Sequence, residues 1–335
     1  SVLSQSKATT TLTILLQSFI AGGAGRRIQW EILSSATVLV LLPTVVLFAF
    51  LQRWFISGLT SGAVKEGSGG NNFMSFMGVD LGTNGVKVLV ISEEGEIIHQ
   101  GSEGYKLTFG EGFRAELDPT VIWSCCSRLI TEAIIHLKTK DPVKSLAFSV
   151  LGEAITPVDR AGKPLDHTLV SMDYRGKDQI NKFSERIGED SIYFQTGQPC
   201  HPMYPVSKIL WWRDNTPEIY NKVWKFLCWE DYASFKLIGT PIMSYSLASR
   251  TLLFNIASKQ WSRELMDAAF LNEDLLPGLV APGKPIGTLQ PAALNNPEIP
   301  KNITLVAGGW DQACAALGAG ITNPDNFLVS IGTTI

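Results

Sequence analysis

The chain has 335 residues, of which 18% are charged and 45% are hydrophobic, and its formal net charge is −3. This length allows two or three domains, and the slightly acidic balance gives no support for a nucleic-acid-binding protein. The five cysteines form no Cys-x-x-Cys pair and the four histidines are scattered, which argues against a zinc site or disulfide framework and favours a reducing compartment.

The first predicted element is a membrane-spanning helix at residues 32–51. This stretch reads ILSSATVLVLLPTVVLFAFL, carries no charge, and has about the 20 residues that span a bilayer. Basic residues flank it on both sides, so the charge distribution leaves its orientation open. A signal peptide is disfavoured because about 30 residues precede the run and no cleavage site follows closely. A buried core helix remains the alternative.

The residues that overlap and follow this run resemble part of a membrane transporter. The segment LPTVVLFAFLQRWFISGLTSGAVKE (42–66) is similar to the C-terminal end of maltose-type ABC sugar transporter permeases. The resemblance covers about residues 10–66, within a segment assigned to 1–66, and implies association with the inner membrane. It lacks the loop that binds the ATPase subunit in that family, so we do not expect this segment to transport by itself.

A flexible linker of Gly, Ser and Asn is predicted at residues 67–75. Met74 and Met77 lie near its end, where the character of the sequence changes. We therefore hypothesise that two neighbouring genes of one sugar operon are read here as one chain, and a membrane-tethered protein is the alternative. Because the chain begins with Ser1 and ends at Ile335 directly after a strand-like run, we expect it to be a fragment of a longer protein.

From residue 76 the pattern becomes that of an α/β domain. The runs FMGVDLG, VKVLVIS and EIIHQGSEGYKL predict three strands separated by turns at TNG and EEGE. Residues 118–140 predict a helix, with Asp118 as the N-cap and with apolar residues, among them Cys126, on one face. VKSLAFSV (143–150) predicts a buried strand. Three strands, a helix and a strand are typical of the start of a ribonuclease-H-like domain.

Two further segments end the chain. ITLVAGGWDQACAALGAG (303–320) predicts a strand, a Gly-Gly turn and a helix whose first turn carries Asp311. NFLVSIGTTI (326–335) predicts a strand that enters a Gly-Thr-Thr turn. The similarity between MGVDLGT and LVSIGTT suggests a duplicated fold whose halves present Gly/Thr hairpins to one phosphate chain, although two matches this short also arise by chance.

These turns and acids together favour phosphoryl transfer. Gly-Thr turns expose backbone N–H groups and a hydroxyl, which suit phosphate oxygens. Asp80 ends the first strand, where it could hold hydrated Mg²⁺, and Asp311 opens a helix, where it could accept a proton from an acceptor hydroxyl. A turn acid and a helix cap are the simpler interpretations of these two residues. The ordered set that includes Thr83 and residues 332–334 favours the catalytic interpretation.

Five motifs in order resemble the FGGY family of carbohydrate kinases. They are GVDLGTNGVK, MDYRG with Met172 and Tyr174 as local variants, GQPCHPMYPVSKILWWRDN, GGWDQACAALGAG and SIGTT. The resemblance implies that residues 76–325 form the N-terminal, sugar-binding domain and that residues 326–335 start the C-terminal domain. It also implies the actin/hexokinase/Hsp70-type ATPase superfold.

The same resemblance implies the site and its cofactors. ATP and Mg²⁺ would serve the phosphorylation of a sugar, sugar acid or polyol, as in xylulokinases or gluconokinases, with Asp311 as the base and Asp80 at the metal. The ATP phosphates would be bound by Gly82, Thr83, Asn84, Gly332, Thr333 and Thr334, and the substrate by Gly152, Glu153, Asp173, Arg175 and Gln312. The family's C-terminal domain would close the ATP site, so we expect poor ATP binding and little turnover from this 335-residue chain.

The resemblance leaves the substrate and two other functions open. Leu-Gly-Glu (151–153) differs from the Gln-Met-His-Gly of xylulokinases and the Arg-Glu of glycerol kinases, so neither specificity transfers. The alternatives are a membrane-anchored component of sugar uptake with a kinase-like binding module, and a sugar-sensing or chaperone-like ATPase. Asp311 and the segment 208–211 favour the kinase over the second alternative. The kinase domain is expected in the cytoplasm, and association of two copies is left open.

Overall fold

The computed structural model describes residues 74–323 and 325–328. A mixed α/β domain occupies this region, and its strands and helices alternate along the chain. The strands are β1 Ser75–Leu81, β2 Gly85–Ser92, β3 Ile97–Gly104, β4 Thr108–Gly110, β5 Arg114–Leu117, β6 Val143–Val150, β7 Thr156–Val158, β8 Thr168–Leu169, β9 Lys225–Leu227, β10 Ile242–Ser244, β11 Phe254–Asn255, β12 Gln260–Trp261, β13 Gly278–Val280, β14 Pro285–Thr288 and β15 Thr304–Trp310.

The helices include one long segment and several short ones. The α-helices are α1 Pro119–Leu137, α2 Lys177–Ile187, α3 Glu189–Thr196, α4 Pro205–Asn215, α5 Pro217–Tyr220, α6 Trp229–Ile238, α7 Tyr245–Ala248, α8 Arg263–Ala269 and α9 Asp311–Gly318. Two 3₁₀ turns lie at Glu273–Leu275 and Pro291–Leu294.

A six-stranded sheet in the order β14-β15-β6-β1-β2-β3 forms the centre of the domain. β1, β2 and β3 pair antiparallel in sequence, whereas β6 and β15 run parallel to β1, and β14 is antiparallel to β15. Five of these strands, in the spatial order β3-β2-β1-β6-β15, have the ribonuclease-H-like arrangement that the sequence predicts. Its three parallel strands end at one edge, where ligands of α/β sheets usually bind.

One face of the sheet packs into the hydrophobic core. Along β1, Met77, Val79 and Leu81 are buried and alternate with residues that reach solvent, as a strand with a period of two requires. α1 packs over β2 and β3 and buries Cys126, as its helical spacing predicts. Asp118 caps α1, because its Oδ1 accepts the backbone N–H of Thr120 at 2.8 Å.

Further helices extend this core beyond the sheet. α6 contacts β6, β14 and β15, and its Tyr232 meets Trp123 of α1 edge to face, with ring centroids 6.3 Å apart. α2 packs against α3, α4 and α8 to form a helical layer. Trp212 and Trp229 are fully buried in these helices and belong to the hydrophobic core.

Some predicted elements differ from the structure or lie outside the described residues. The predicted turn at Gly308–Gly309 is wrong, because both glycines belong to β15. Residues 326–328 are not a strand, and the rest of the predicted strand 326–335 lies outside the described residues, as do the segment 1–66 and its proposed membrane helix. Within residues 74–323 and 325–328, no helix combines the length and apolar character needed to cross a membrane.

Candidate active site

Three parallel strands bring the predicted acids to the same edge of the sheet. The register pairs Asp80 of β1 with Ser149 of β6, and Ser149 with Gly309 of β15. Neighbouring strands lie about 4.8 Å apart, so Asp80 and the end of β15 are separated by about 10 Å along this row. Asp311 follows β15 directly as the first residue of α9. The sequence motifs therefore converge in space although 231 positions separate the two acids.

Asp80 is partly exposed, and one of its carboxylate oxygens is held by a hydrogen bond. The hydroxyl Oγ of Ser149 donates a hydrogen bond to Asp80 Oδ1 over 3.0 Å. The sequence interpretation missed Ser149, although it lies next to last in a predicted buried strand and therefore at the carboxyl edge. Its bond fixes one carboxylate oxygen of Asp80 and leaves the other without a hydrogen bond from the described residues.

Asp311 is half-buried at the start of α9, and its environment raises the pKa of its carboxyl group. Burial is the main cause, and the charges of Asp80 and Glu153 act in the same direction. The backbone N–H of Gln312, which donates to Asp311 Oδ1 at 2.7 Å, and the nearby guanidinium of Arg250 oppose the shift. A carboxylate whose pKa is raised towards neutrality is a stronger general base.

The turn after β1 is closed and tethered by its own backbone. Gly82 donates its N–H to the carbonyl of Gly85 at 3.0 Å, and the N–H of Tyr105 donates to the carbonyl of Asn84 at 3.1 Å. The Tyr105 hydroxyl also donates to the carbonyl of Gly82. Thr83 and Asn84 reach solvent at the tip, and no described residue hydrogen-bonds the Thr83 hydroxyl. The tip of the loop is therefore exposed, while its base is fixed by these bonds.

A buried ion pair lies beside Asp311. Glu153 follows β6 with a left-handed backbone (φ 59°), a conformation that is costly for a residue of this type and frequent at functional sites. The Nε of Arg250 donates to Glu153 Oε1 at 2.6 Å, and Nη2 contacts the same oxygen. The Arg250 guanidinium also lies 4.2 Å from the ring centroid of Trp310. Sequence analysis did not identify Arg250, because no local motif marks it.

Gly152 provides the space for this arrangement. A Cβ atom at residue 152 would lie 2.7 Å from the Trp310 ring. The glycine therefore lets the loop after β6 contact the indole that supports Arg250. Gly152 therefore contributes to the shape of the site, because any side chain at this position would collide with Trp310.

Asp173 and Arg175 form a second buried pair. Asp173 is fully buried, and its carboxylate accepts the Ala115 N–H at 2.8 Å and the Arg175 Nε at 2.9 Å. Arg175 also bonds Glu116 and lies 4.8 Å from the ring centroid of Trp211. Burial lowers the pKa of Arg175, but the bonds to Asp173 and Glu116 outweigh it and raise the pKa overall. Asp173 therefore fixes the orientation of the Arg175 guanidinium.

Lys208 is fully buried behind these pairs. Its Nζ donates to the carbonyl of Met203, and burial lowers its pKa to about 7 even though Asp173 and Glu153 favour its charged form. The ammonium therefore supports the loop that leads into α4 and does not reach a ligand.

Asp80 offers a carboxylate that could hold a magnesium ion. In the described part of the chain, no three His, Cys, Asp or Glu side chains converge as a metal site. Mg²⁺ commonly uses only one or two carboxylates, with waters and substrate phosphates as its other ligands. The single carboxylate of Asp80, beside the Gly-Thr loop, is compatible with that requirement. The other predicted phosphate ligands, Gly332, Thr333 and Thr334, lie outside the described residues, and Gln312 is exposed on α9.

The sheet order, the tethered loop and the two acids define an α/β domain of the ribonuclease-H-like ATPase class. Residues 75–318 match the N-terminal domain of the FGGY family of carbohydrate kinases, and the chain belongs to that family. The resemblance of the five motifs to that family is thereby confirmed. The match does not include residues 1–66, and the predicted resemblance of that segment to a permease gains no support from it.

Relatives of known activity agree with this assignment. A xylulose kinase of Staphylococcus epidermidis is 31% identical over 77% of this chain and 51% of its own length, and a gluconokinase of Bacillus subtilis is 28% identical over 77% and 50%. The crystal structure of Plasmodium falciparum glycerol kinase with ADP superposes with a TM-score of 0.69 at 25% identity, over 76% of this chain and 52% of that one. The chain thus spans about half the length of the relatives it matches.

Proposed function

We propose that this chain provides the sugar-binding half of an ATP-dependent carbohydrate kinase. The observation that carries the proposal is the meeting of Asp80 and Asp311 at one sheet edge, beside the Gly-Thr loop after β1. Phosphoryl transfer requires charge neutralisation, positioning of phosphates and a base at the acceptor hydroxyl, and this edge offers a group for each.

In the proposed reaction, the acceptor hydroxyl loses its proton to the carboxylate of Asp311. The hydroxyl oxygen forms a bond to the γ-phosphorus of ATP while the bond to the β–γ bridging oxygen breaks, and ADP leaves with the bond electrons. The Thr83 hydroxyl and the backbone N–H groups of Thr83 and Asn84 would hold the phosphates, together with Gly332, Thr333 and Thr334. Gly82, whose N–H is bonded to the carbonyl of Gly85, would shape the turn. Mg²⁺ bound at Asp80 would neutralise phosphate charge.

The acceptor would bind on the Asp311 side of the row. Glu153 and Gln312 would contact its hydroxyls, and Gly152 would shape the wall against Trp310. Arg175 would bind the acceptor from the neighbouring loop, and Asp173 would hold the Arg175 side chain in place. These assignments are supported by the placement of Glu153 close enough to Asp311 for its charge to raise the pKa of Asp311.

The full-length gene product offers a direct test. ATP and a panel of ketoses, aldonates and polyols are supplied, and both ADP and sugar phosphate are quantified. We expect stoichiometric formation of ADP and one sugar phosphate. ADP release without any sugar phosphate would instead favour an ATPase that does not transfer to sugar.

The raised pKa of Asp311 predicts that the acid limb of the pH profile of kcat/KM lies at higher pH than usual. Asp311 acts as a base only when deprotonated, so kcat/KM should fall as pH decreases through its pKa. That fall should begin at higher pH than for an ordinary aspartate, whose pKa is about 3.9. In Arg250→Met the limb should move to still higher pH, because Arg250 lowers the pKa of Asp311. Arg213→Met, a charge change on α4, should leave the limb in place.

Our proposals for the N-terminal segment are separate and rest on its sequence alone. We propose that residues 10–66 derive from a sugar transporter permease and would associate with the membrane through residues 32–51, while the kinase domain faces the cytoplasm. The nucleotide sequence of related strains tests this origin: one continuous reading frame in independent clones would contradict a junction between two genes.

A further inference from the structure

The charges beside Asp311 bear on the class of acceptor, if the proposed kinase function holds. Relatives of this chain include both a xylulose kinase, whose named sugar is uncharged, and a gluconokinase, whose named substrate is a sugar acid. A protein that buries a carboxylate must supply a cation or hydrogen bonds in return. A site for a sugar acid therefore needs a cation that is free to pair with the substrate carboxylate, whereas a site for an uncharged sugar does not.

Arg250 is the cation that acts directly on Asp311, and its charge is already matched. Two of its nitrogens contact Glu153 Oε1, and the side chains of the pair are only 11% and 6% exposed. Its flat faces are also occupied, with Trp310 at 4.2 Å and Tyr204 at 5.2 Å from the ring centroids. A ligand carboxylate could bind Arg250 only by displacing Glu153, which would leave that buried acid without its partner.

The other two cations behind the site are also committed. Arg175 is bonded to Asp173 and Glu116, and its side chain is 5% exposed. Lys208 is fully buried, and its Nζ is directed to the carbonyl of Met203. Neither guanidinium nor ammonium is free to neutralise an incoming anion.

Lys87 is exposed but lies on the phosphate side of the row. It pairs in register with Asp80 on β2, three strands from β15, which corresponds to about 14 Å. It does not contribute to the pKa of Asp311. Within the described residues, the acceptor end thus presents the carboxylates of Asp311 and Glu153, with Asp80 beyond them, and Arg250 is the one cation that acts on Asp311.

The free oxygen of Glu153 suits a hydroxyl donor. Among the described residues, only Arg250 hydrogen-bonds this carboxylate, and it does so at Oε1. No described residue hydrogen-bonds Oε2, and the Glu153 side chain is 6% exposed. A carboxylate oxygen accepts hydrogen bonds and donates none, which favours a substrate that offers O–H groups.

We propose that the acceptor of this kinase is an uncharged polyol or sugar, and that sugar acids are excluded by the Glu153–Arg250 pair. The pair is neutral as a unit and keeps its guanidinium from the substrate. A sugar acid would place a third carboxylate near Asp311 and Glu153 without a counter-ion.

Matched substrates test the proposal in the full-length gene product. Xylitol is compared with xylonate, and glucitol with gluconate, because each pair keeps its carbon chain and changes the charge. ATP-dependent phosphorylation and binding by calorimetry are both measured, with a ketose, xylulose, as a further neutral compound. We expect kcat/KM or affinity at least tenfold higher for neutral compounds, which corresponds to about 1.4 kcal/mol. Equal or better use of the aldonates would overturn the proposal.

Glu153→Gln supplies the decisive variant. It keeps the shape of the side chain but releases the Arg250 charge, so the preference for the neutral member of each pair should shrink at least fivefold. Glu298→Gln makes the same change in an exposed ion pair with Lys138 and should leave the preference unchanged. An unchanged preference in Glu153→Gln would overturn the proposed role of the pair. If no compound is phosphorylated, the kinase function fails, while the calorimetric preference still decides the charge class.

Discussion

Asp311→Asn should lower kcat by about 10²–10⁴-fold, which is the usual contribution of a general base. The KM for the sugar should change little, because the amide keeps the size of the side chain and its oxygen can still accept the Gln312 N–H. Folding should not suffer, since burial raises the pKa of Asp311 and the uncharged amide avoids the cost of burying a carboxylate. Steady-state kinetics with a thermal melt measure both effects.

Asp267→Asn is the matched control for that variant. Asp267 lies exposed on α8, away from the row of Asp80, Ser149 and Gly309. Its replacement should leave kcat within about twofold of the parent, since surface substitutions usually have small effects. If Asp311→Asn retained kcat within threefold of the parent, another group would have to be the base.

Gly308→Ala should reduce the free energy of unfolding by about 3 kcal/mol, at the upper end of typical overpacking costs. A Cβ atom at residue 308 would lie 1.8 Å from the carbonyl oxygen of Phe148 on β6, so one of two backbone strands must move. The register between these strands is already irregular between Val306 and Gly309. Urea denaturation measures the loss, which corresponds to a decrease in Tm of about 6–12 °C.

Gly78→Ala controls for the loss of glycine itself. Gly78 lies in β1 of the same sheet, with a negative φ and no atom within 4 Å of the Cβ position. Its replacement should be neutral or stabilising by a few tenths of a kcal/mol, because alanine restricts the unfolded chain. Equal stability of the two variants would show that β15 adapts to the added methyl group without cost.

Local patterns in the sequence predicted much of the sheet and its main helix. β1, β2, β6 and α1 match their expected positions within a few residues, because alternating or helical burial and the Asp118 cap are encoded nearby. The Gly308–Gly309 pair was misread as a turn. Glycine pairs usually mark turns, but here Gly308 allows β15 to approach the backbone of β6, and Gly309 leaves room for the side chain of Ser246.

The acids of the site were predictable from their motifs, whereas their partners were not. Asp80 lies at the end of a predicted strand and Asp311 follows another, and parallel strands end at a shared edge. Arg250 comes from a loop 97 positions beyond Glu153, so only the folded chain shows the pair. The same holds for Asp173, whose motif suggested contact with substrate and whose burial indicates that it orients Arg175.

The register of β1 links folding fidelity to chemistry. Val79 and Leu81 are sealed in the core, and Asp80 between them emerges on the open face beside Ser149. A slip of one residue would turn the acid inward and expose two apolar side chains, so misaligned forms would be removed by their instability. Every molecule stable enough to persist therefore presents Asp80 on the open face, so the same packing that stabilises the core also keeps this acid at the candidate site.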